Sequence, residues 1–252
     1  MKKRIALITG GSRGLGKSAA LKLAECGVDS VITYLNNAVA AEAVVAEITD
    51  IGARAVALPL NTADTASFTH FARQLETALN DVWQRTSLDY LVNNAGTGLN
   101  VPFAETTEAQ LDALFALHVK GPYLLTQTLL PLLADGGRVL NLSSGLTRFS
   151  RPGMSAYAMM KGAVEVMTRY QAVEFGERSI TVNTLAPGAI ETDFGGGVVR
   201  DNPEYNRAIA SQTALGRAGL PDDIGRLVAA LLSDATYWVN GQRIEASGGF
   251  SL

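Results

Sequence analysis

The sequence predicts an α/β fold, a doubly wound parallel sheet of about seven strands with helices on both faces. Short runs rich in β-forming residues alternate with longer amphipathic runs along the 252 residues. Most of the short runs are apolar at consecutive positions, which is typical of strands buried on both faces of a parallel sheet. The first of them leads through a glycine-rich turn into a helical pattern, LITGGSRGLGKSAA at 7–20. Together these observations indicate a repeating β-α-β organisation.

Each element is predicted from its residue pattern. The amphipathic stretches predict helices, because their apolar residues recur at the spacing of one helical face. Strands are predicted at 4–9, 30–34, 54–60, 88–94, 137–143, 179–187 and 242–246. Helices are predicted at 18–27, 38–52, 66–83 and 107–134. No repeat, low-complexity tract or linker-like boundary interrupts the pattern, so a single domain is expected over 1–252.

The composition limits the classes of protein. Hydrophobic residues make up 47% and charged residues 18%, which allows a sizeable core. A net charge of -3 provides no basic field for nucleic acid. No apolar run approaches the roughly 18 residues that span a bilayer. The apolar run at 5–8 is too short for a signal peptide, so we expect a cytoplasmic protein with neither a nucleic-acid nor a membrane partner.

Cysteine and histidine are scarce. The single cysteine, Cys26, excludes an internal disulfide and a cysteine metal cluster. It falls in a helical pattern and is predicted to be a buried small hydrophobe. His70 falls in another helical run and is predicted to be a surface or packing residue. His70 and His118, the two histidines, predict no metal site.

The glycines Gly10, Gly11, Gly14 and Gly16 need a structural reason, because glycine weakens both strands and helices. At the first strand–helix junction of a doubly wound sheet, backbone N–H groups and the helix dipole face a bound pyrophosphate, and glycine lets the backbone approach it. The spacing is T-G-x-x-x-G-x-G, which differs from the common G-x-G-x-x-G pattern. The turn therefore predicts a dinucleotide site, with an ordinary glycine-rich turn as the alternative.

Residues around this turn indicate which dinucleotide binds. The second predicted strand ends in TYLNN at 33–37, without a carboxylate that would bind the ribose hydroxyls and repel a 2′-phosphate. Arg13 lies in the turn, and a guanidinium pairs well with phosphate. We therefore predict NADP(H) in preference to NAD(H). The alternative is that Arg13 is a solvated surface residue and that the selectivity is weak.

Three side chains in the second half can carry acid–base chemistry. Tyr157 and Lys161 are four residues apart, so on a helix they share a face. A lysine ammonium beside a phenol is expected to lower the pKa of the phenol, so that the tyrosine can exchange a proton with a substrate oxygen. A serine at the end of the fifth strand, Ser143 or Ser144, can hydrogen-bond the same oxygen. Taken alone, the tyrosine–lysine pair also fits an ordinary amphipathic helix.

The ordered set of motifs resembles the short-chain dehydrogenase/reductase superfamily. The set is TGGSRGLG, NNAG at 93–96, a serine thirteen residues before Tyr157, Tyr157-x-x-x-Lys161, and PG at 187–188. The resemblance covers essentially the whole chain and implies a Rossmann-like fold. Within the superfamily the chain looks like carbonyl reductases of similar length, a group that includes 3-oxoacyl-acyl-carrier-protein reductases.

The resemblance implies the catalytic roles. Tyr157 is the general acid in reduction, Lys161 supports it and holds the nicotinamide ribose, and Ser144 orients the substrate. Most relatives have asparagine where this chain has His118, and that asparagine bends its helix and holds a water that links the lysine to solvent. His118 either holds the water or relays protons itself. The alternative is a tolerated substitution, with the relay running through backbone and water.

The resemblance also implies the cofactor contacts. The glycines line the pyrophosphate turn, Leu15 donates its backbone N–H, and Ser12 and Arg13 meet the 2′-phosphate. The implied set is Gly10, Ser12, Arg13, Gly14, Leu15, Gly16, Tyr34, Asn36, Asn61, Thr62, Asn93, Ala95, Gly96, Tyr157, Lys161, Pro187, Gly188, Ile190 and Thr192.

Two further departures from the family pattern concern acidic residues. Asn61 replaces a usual aspartate that meets the adenine amino group, and its amide oxygen can still accept that bond. Ser247 replaces a usual aspartate near the C-terminus, at the subunit contact rather than at the chemistry.

The stretch at 191–217 is longer and more polar than a simple crossover, and its glycines at 195–197 would make a flexible hinge. We predict a substrate lid around 190–217 that closes over the nicotinamide, with a disordered surface loop as the alternative. A mainly apolar substrate pocket is predicted from Leu146, Phe149, Met154, Ala189 and Phe194. Arg148 and Arg151 either attract an anionic substrate or are solvated loop charges.

The predicted function is NADPH-dependent reduction of a ketone or aldehyde to an alcohol, reversible as an alcohol dehydrogenase. The alternatives are a fatty-acid-synthesis reductase acting on acyl-carrier-protein thioesters, a sugar or polyol dehydrogenase, and a non-catalytic dinucleotide-binding regulator. The intact Tyr157, Lys161 and Ser144 count against the regulator. The resemblance implies a homotetramer in which helices around 107–134 and 154–178 meet their copies across two-fold axes.

Overall fold

The computed structural model describes residues 3–252. Met1 and Lys2, which belong to the start that we predict is not a signal peptide, lie outside the described residues. The strands are β1 Ile5–Ile8, β2 Asp29–Tyr34, β3 Ala55–Pro59, β4 Leu88–Asn93, β5 Leu133–Leu142, β6 Thr181–Pro187 and β7 Arg243–Ala246. They form one parallel sheet in the order β3-β2-β1-β4-β5-β6-β7. The predicted fold class and the seven predicted strands are confirmed.

Helices cover both faces of the sheet. They are α1 Gly14–Glu25, α2 Ala38–Asp50, α3 Phe68–Trp83, α4 Glu108–Phe115, α5 Gly121–Leu129, α6 Ser155–Glu174, α7 Val198–Asp201, α8 Pro203–Ser211 and α9 Pro221–Leu231. Helices α1, α2 and α9 pack on one face, and α3, α5 and α6 pack on the other. The strand order reverses between β1 and β4, and such a reversal opens a ligand crevice at the carboxyl ends of the strands.

Alternate residues of the central strands serve the two cores. In β1, Ala6 and Ile8 join the core with α1, α2 and α9, whereas Ile5 and Leu7 join the opposite core. All four side chains are fully buried. Burial on both faces explains why the strand sequences are apolar at consecutive positions.

The helix predicted at 107–134 is not continuous. Residues Ala116–Lys120 form a π-helical segment between α4 and α5, and β5 already begins at Leu133. Pro122 supplies the physical reason, because it has no N–H to donate to the carbonyl four residues earlier and its ring crowds that carbonyl. That carbonyl belongs to His118, so the helix widens at the residue for which a special role is predicted.

The prediction that Cys26 is buried is wrong. Its side chain is exposed, because α1 ends at Glu25 and Cys26 forms the C-terminal cap outside the helical face. His70 is exposed on α3, in line with its predicted place at the surface. Within residues 3–252, no cluster of His, Cys, Asp or Glu side chains is suited to hold a metal ion. None of the described helices is long and apolar enough to cross a bilayer.

Candidate active site

Helix α6 presents the predicted acid–base pair at the carboxyl ends of the strands. Tyr157 and Lys161 lie one turn apart in its first half, and both are buried. The Lys161 Nζ donates to the backbone oxygen of Leu142, the last residue of β5, at 2.7 Å. The same Nζ lies 5.7 Å from the centre of the Tyr157 ring. The lysine is therefore fixed between the end of β5 and the tyrosine.

The structure separates the two candidate serines. Ser144 is close enough to the Tyr157 phenol to lower its pKa, against the effect of burial. Ser143 turns the other way, and its Oγ donates to Glu165 Oε1 at 2.7 Å. Ser144 is thus the serine placed to share a substrate oxygen with Tyr157, as the thirteen-residue interval implies.

The expected lowering of the tyrosine pKa is not found. Burial raises the pKa of Tyr157 above its usual value, and the nearby Ser144 opposes this only in part. Burial also lowers the pKa of Lys161 to about 8. The prediction considered the lysine charge but not the cost of a buried phenolate. A phenol that stays protonated at neutral pH is suited to donate a proton.

His118 lies against the same tyrosine. Its Nε2 lies 2.8 Å from the carbonyl oxygen of Thr97, which can only accept, so Nε2 carries the hydrogen and Nδ1 is left as an acceptor. Burial, followed by the charge of Lys161, lowers the pKa of His118 to about 3. The imidazole is therefore neutral at physiological pH. A Cβ at Gly96 would lie 2.7 Å from His118 Cε1, so glycine is needed there to admit the ring.

A cavity of about 10 Å³ lies behind this group. It is lined by Asn93, Ala95, His118, Pro122, Asn141, Leu142, Lys161 and Val164. Among the described residues, nothing bonds the buried Nδ1 of His118 or the buried Oδ1 of Asn93. The cavity is close to the minimum size for one water molecule. The two unbonded acceptors and the neighbouring Lys161 are suitable hydrogen-bond partners for that water.

The glycine turn is shaped to receive an anion. Gly10 and Gly14 have positive φ values of 65° and 56°, which glycine adopts most readily. A Cβ at Gly16 would lie 2.3 Å from the carbonyl oxygen of Gly10, so a side chain would break the turn. Helix α1 begins at Gly14, and no side chain of the described residues caps its start. Its first N–H groups, including that of Leu15, remain for a phosphate. These features fit a dinucleotide pyrophosphate.

The other predicted cofactor residues surround this turn. Arg13 is largely exposed, and its Nη1 lies 3.7 Å from Asp193 Oδ2 on the predicted lid. Tyr34 is the last residue of β2 and Asn36 follows it, at the carboxyl edge of the sheet where the crevice opens. Asn61 Oδ1 already accepts from the backbone of Ala63 at 3.0 Å, which leaves one lone pair for another donor.

Most of the remaining cofactor candidates are buried or half-buried. The Asn93 Nδ2 donates to Asn141 Oδ1 at 2.8 Å and to Thr126 Oγ1 at 3.0 Å, so it ties β4 to β5. Thr62 is buried. A side chain at Gly121 would clash with the backbone oxygen of Thr62. Others lie at or just after the ends of β4 and β6, namely Ala95, Gly96, Pro187, Gly188, Ile190 and Thr192, with Ser12 in the turn.

The predicted lid is ordered secondary structure and not a plain loop. It contains α7 and α8 after three glycines, Gly195 to Gly197, which all have positive φ. Phe194, just before them, packs against Tyr157 with ring centres 5.8 Å apart. A Cβ at Gly98 would lie 2.9 Å from the Phe194 ring, so that glycine makes room for it. Gly98 is a site residue that the sequence patterns missed.

The other predicted pocket residues divide between two clusters. Leu146 and Met154 pack in the cluster that contains Tyr157, which Leu99 and Leu114 also join. Phe149 and Ala189 belong to a neighbouring cluster with Phe250. The loop arginines are not free charges. Arg148 pairs with Glu245 at 2.8 Å, and Arg151 lies over the Tyr205 ring.

The sequence patterns also missed a polar network beneath Ser144. It consists of Ser143, Thr147, Arg148, Glu165, Arg243, Glu245 and Ser247. Glu165 continues the four-residue spacing of Tyr157 and Lys161 on α6, which is the one signal that could have found it. The arginine partners come from distant parts of the chain.

Comparisons with known proteins identify the family of this chain. A family model described as enoyl-(acyl carrier protein) reductase matches residues 10–251. The hydroxynaphthalene reductase-like protein Arp2 of Metarhizium brunneum is 37% identical over 98% of this chain and 94% of its own length. The structure of LugOII, a promiscuous reductase that catalyses keto-reduction at C1 during lugdunomycin biosynthesis, superposes with a TM-score of 0.94 at 38% identity over 99% of this chain and 98% of that one.

A second solved structure adds a bound cofactor. The angucycline C-6 ketoreductase LanV with bound NADP superposes with a TM-score of 0.93 at 34% identity, covering 98% of this chain and 95% of that one. The parallel sheet, the glycine turn and the matches together define an oxidoreductase of the dinucleotide-binding kind. The chain belongs to the short-chain dehydrogenase/reductase superfamily.

Proposed function

We propose that the protein is an NADPH-dependent reductase that converts a ketone to an alcohol, reversibly. The observation that carries this proposal is the meeting of a protonated Tyr157 with Ser144 and Lys161 beside a glycine turn suited to pyrophosphate. LugOII and LanV, which superpose over nearly the whole chain, are both described as keto-reducing enzymes.

Tyr157, Ser144 and Lys161 have separate roles in the proposed proton transfer. When bound, NADPH supplies a hydride to the carbonyl carbon. Tyr157 donates its phenolic proton to the carbonyl oxygen, which completes the alcohol. The Ser144 hydroxyl donates a hydrogen bond to the same oxygen as negative charge develops there. The Lys161 ammonium beside the tyrosine then stabilises the phenolate, and Lys161 also holds the nicotinamide ribose.

We propose that His118 takes part in returning the proton to Tyr157. A water in the cavity would donate to the His118 Nδ1 and accept from the Lys161 ammonium, both of which line it. The neutral imidazole then fixes the orientation of this water, and the water connects Lys161 to the solvent. The low pKa of His118 argues for an acceptor that positions water and against a histidine that becomes charged.

The preference for NADP(H) over NAD(H) rests on charge. Arg13 is the exposed cation at the turn, and residues 33–37 carry no carboxylate. A 2′-phosphate would replace Asp193 as the partner of Arg13, in a charge-assisted hydrogen bond. LanV, a similar structure, was solved with NADP bound.

We propose a cyclic aromatic ketone as the substrate class. The relatives described above are named for hydroxynaphthalene and angucycline compounds. Phe194 packs against Tyr157, and Leu146 and Met154 belong to the apolar cluster that contains Tyr157. A flat apolar ring system suits such walls.

Cofactor consumption with a substrate panel tests this proposal. The panel holds bicyclic aromatic ketones, aliphatic ketones, aldehydes, a sugar and a β-keto thioester, each with NADPH and NADH. We expect the highest kcat/KM with NADPH and the bicyclic ketones. Turnover of the thioester alone would move the assignment to fatty-acid synthesis. Turnover of none would favour a dinucleotide-binding regulator.

We propose a homotetramer, with α4–α5 and α6 at the contacts. Their outer faces expose large apolar side chains, namely Phe115, Tyr123, Met159, Val166, Tyr170 and Val173. Faces of this kind commonly mark a protein interface. Light scattering coupled to size exclusion should give four times the chain mass of 26.6 kDa. A stable monomer would contradict the proposal.

A further inference from the structure

One carboxylate oxygen joins three elements beneath the active site. Glu165 follows Lys161 by one turn on α6, and its side chain is 15% exposed. Its Oε1 accepts from Ser143 Oγ at 2.7 Å, from Thr147 Oγ1 at 2.7 Å and from Arg243 Nε at 2.8 Å. Glu165 thus ties the helix of Tyr157 to the segment that follows β5 and to strand β7.

Arg243 extends this junction to the backbone of Ser144. Its Nη2 donates to the Ser144 carbonyl oxygen at 3.3 Å, and Thr147 Oγ1 lies 2.9 Å from that oxygen. Its Nη1 donates to Glu245 Oε2 at 2.9 Å. The Arg243 guanidinium is therefore bound by the carboxylates of Glu165 on α6 and Glu245 on β7, and it donates to the carbonyl of Ser144.

These contacts bear on the geometry of the reaction. Ser144 stands in extended backbone at the start of a short 3₁₀ turn, and Tyr157 stands on a separate helix. The two hydroxyls must approach one substrate oxygen together, so the distance between their two elements has to be fixed. Charge-assisted hydrogen bonds that are mostly shielded from water are strong enough to fix it.

We propose that Glu165 and Arg243 are positioning residues, which hold Ser144 at the distance from Tyr157 that proton donation requires. The inference rests on the proposed function, because it presumes that Ser144 and Tyr157 act on one substrate oxygen. It adds two charged residues that touch neither substrate nor cofactor and act through the backbone and side chains of 143–147.

A double-mutant cycle on kcat tests the inference. The variants are Glu165→Ala, Glu165→Gln, Arg243→Met, Ser144→Ala and Glu165→Ala combined with Ser144→Ala. Asp135→Asn, which breaks the distant 2.7 Å pair with Arg178, is the matched control. Each variant is assayed with NADPH and a bicyclic aromatic ketone, and its Kd for NADPH is measured by fluorescence titration.

We expect Glu165→Ala and Arg243→Met to lower kcat by roughly 10- to 100-fold, with the Kd for NADPH unchanged. Glu165→Gln should recover part of the loss, since its amide oxygen still accepts. In the Ser144→Ala background, Glu165→Ala should change kcat by less than about twofold, because the residue that it positions is gone. Asp135→Asn should keep the wild-type kcat.

Two results for the Glu165 and Arg243 variants would overturn the inference. One is an unchanged kcat in Glu165→Ala, or in Glu165→Gln and Arg243→Met if the alanine variant does not fold. The other is an equal loss with and without Ser144, which would show a general structural role. A wild-type kcat in Ser144→Ala would also overturn the inference, because Ser144 would then need no positioning. If the wild-type protein turns over no ketone, the proposed function fails instead, so the two failures are distinguishable.

Discussion

The His118 ring stands edge-on to the Tyr157 ring, with centres 5.3 Å apart and planes at 87°. A histidine thus lies against the proposed general acid, while its Nε2 bonds the Thr97 carbonyl oxygen and its Nδ1 faces a cavity beside Lys161. The contact exists because the helix widens ahead of Pro122 and because Gly96 has no side chain.

The buried neutral imidazole should make stability depend on pH. His118 titrates at about 3 in the folded protein, against 6.5 for an ordinary histidine, so between these values only the unfolded state binds the proton. Proton uptake by the unfolded state therefore leaves the free energy of unfolding unchanged above pH 6.5 and lowers it as the pH falls toward 3. Relative to His118→Asn, the wild-type free energy of unfolding should fall by about 1.4 kcal/mol per pH unit below pH 6.

Urea unfolding at pH 7, 6 and 5 measures this difference. The exposed His70 offers the matched control, since His70→Asn should follow the wild type at every pH. Parallel curves for the wild type and His118→Asn would contradict a buried neutral imidazole.

Tyr157→Phe should remove turnover while the cofactor still binds. The variant keeps the ring that packs against His118 and Phe194 and removes only the proton donor. We expect kcat to fall by about 10²- to 10⁴-fold with the Kd for NADPH unchanged. Tyr237→Phe, at an exposed tyrosine outside the proposed subunit contacts, should behave as the wild type. A Tyr157→Phe enzyme with the wild-type rate would show that another group is the acid.

The buried lysine should limit activity at alkaline pH. Burial lowers the pKa of Lys161 to about 8 in the free enzyme, so its ammonium is lost above that pH. Since the charged form is proposed to hold the nicotinamide ribose, kcat/KM for NADPH should fall about tenfold per pH unit above pH 8. The arginine in Lys161→Arg stays charged. The kcat/KM of this variant should therefore not fall above pH 8, even if it is lower than the wild-type value overall. A flat wild-type profile from pH 7 to 9.5 would contradict the assignment.

Arg13→Ala should weaken NADPH binding selectively. Losing a hydrogen bond to a charged group costs about 1.5–3 kcal/mol, so the Kd for NADPH should rise by roughly 10- to 100-fold. The Kd for NADH, which has no 2′-phosphate, should change little. Arg73→Ala removes an exposed arginine on α3 and provides the control. Equal losses for both cofactors would point to a role for Arg13 at the pyrophosphate.

Phe194 should set the affinity for the ketone. Phe194→Ala removes the ring that faces Tyr157, and we expect the KM for a bicyclic ketone to rise about tenfold with the Kd for NADPH unchanged. Gly98→Ala should act in the same direction, because its Cβ would displace that ring. Phe103→Ala, which removes a ring that is 84% exposed, should have no effect on KM. An unaltered KM in both test variants would place the substrate elsewhere.

Local patterns predicted most of the architecture. The central strands were the most predictable, because a run buried on both faces, such as β1, is apolar at every position. The predicted helix at 107–134 is too long, since apolar periodicity carries no information about the missing N–H of Pro122. The predicted burial of Cys26 is wrong because periodicity does not show where α1 ends. Both errors arise from single residues that end or widen a helix.

The sequence by itself determined the fold class, the glycine turn and the residues that can exchange a proton. These depend on spacings of a few residues, which are read directly along the chain. Only the tertiary structure decided the protonation of Tyr157, the neutrality of His118 and the partners of Glu165. Burial and contact between distant segments set those properties, since the desolvation of a group depends on everything packed around it. Arg243 meets Glu165 across 78 positions of chain, which no local pattern records.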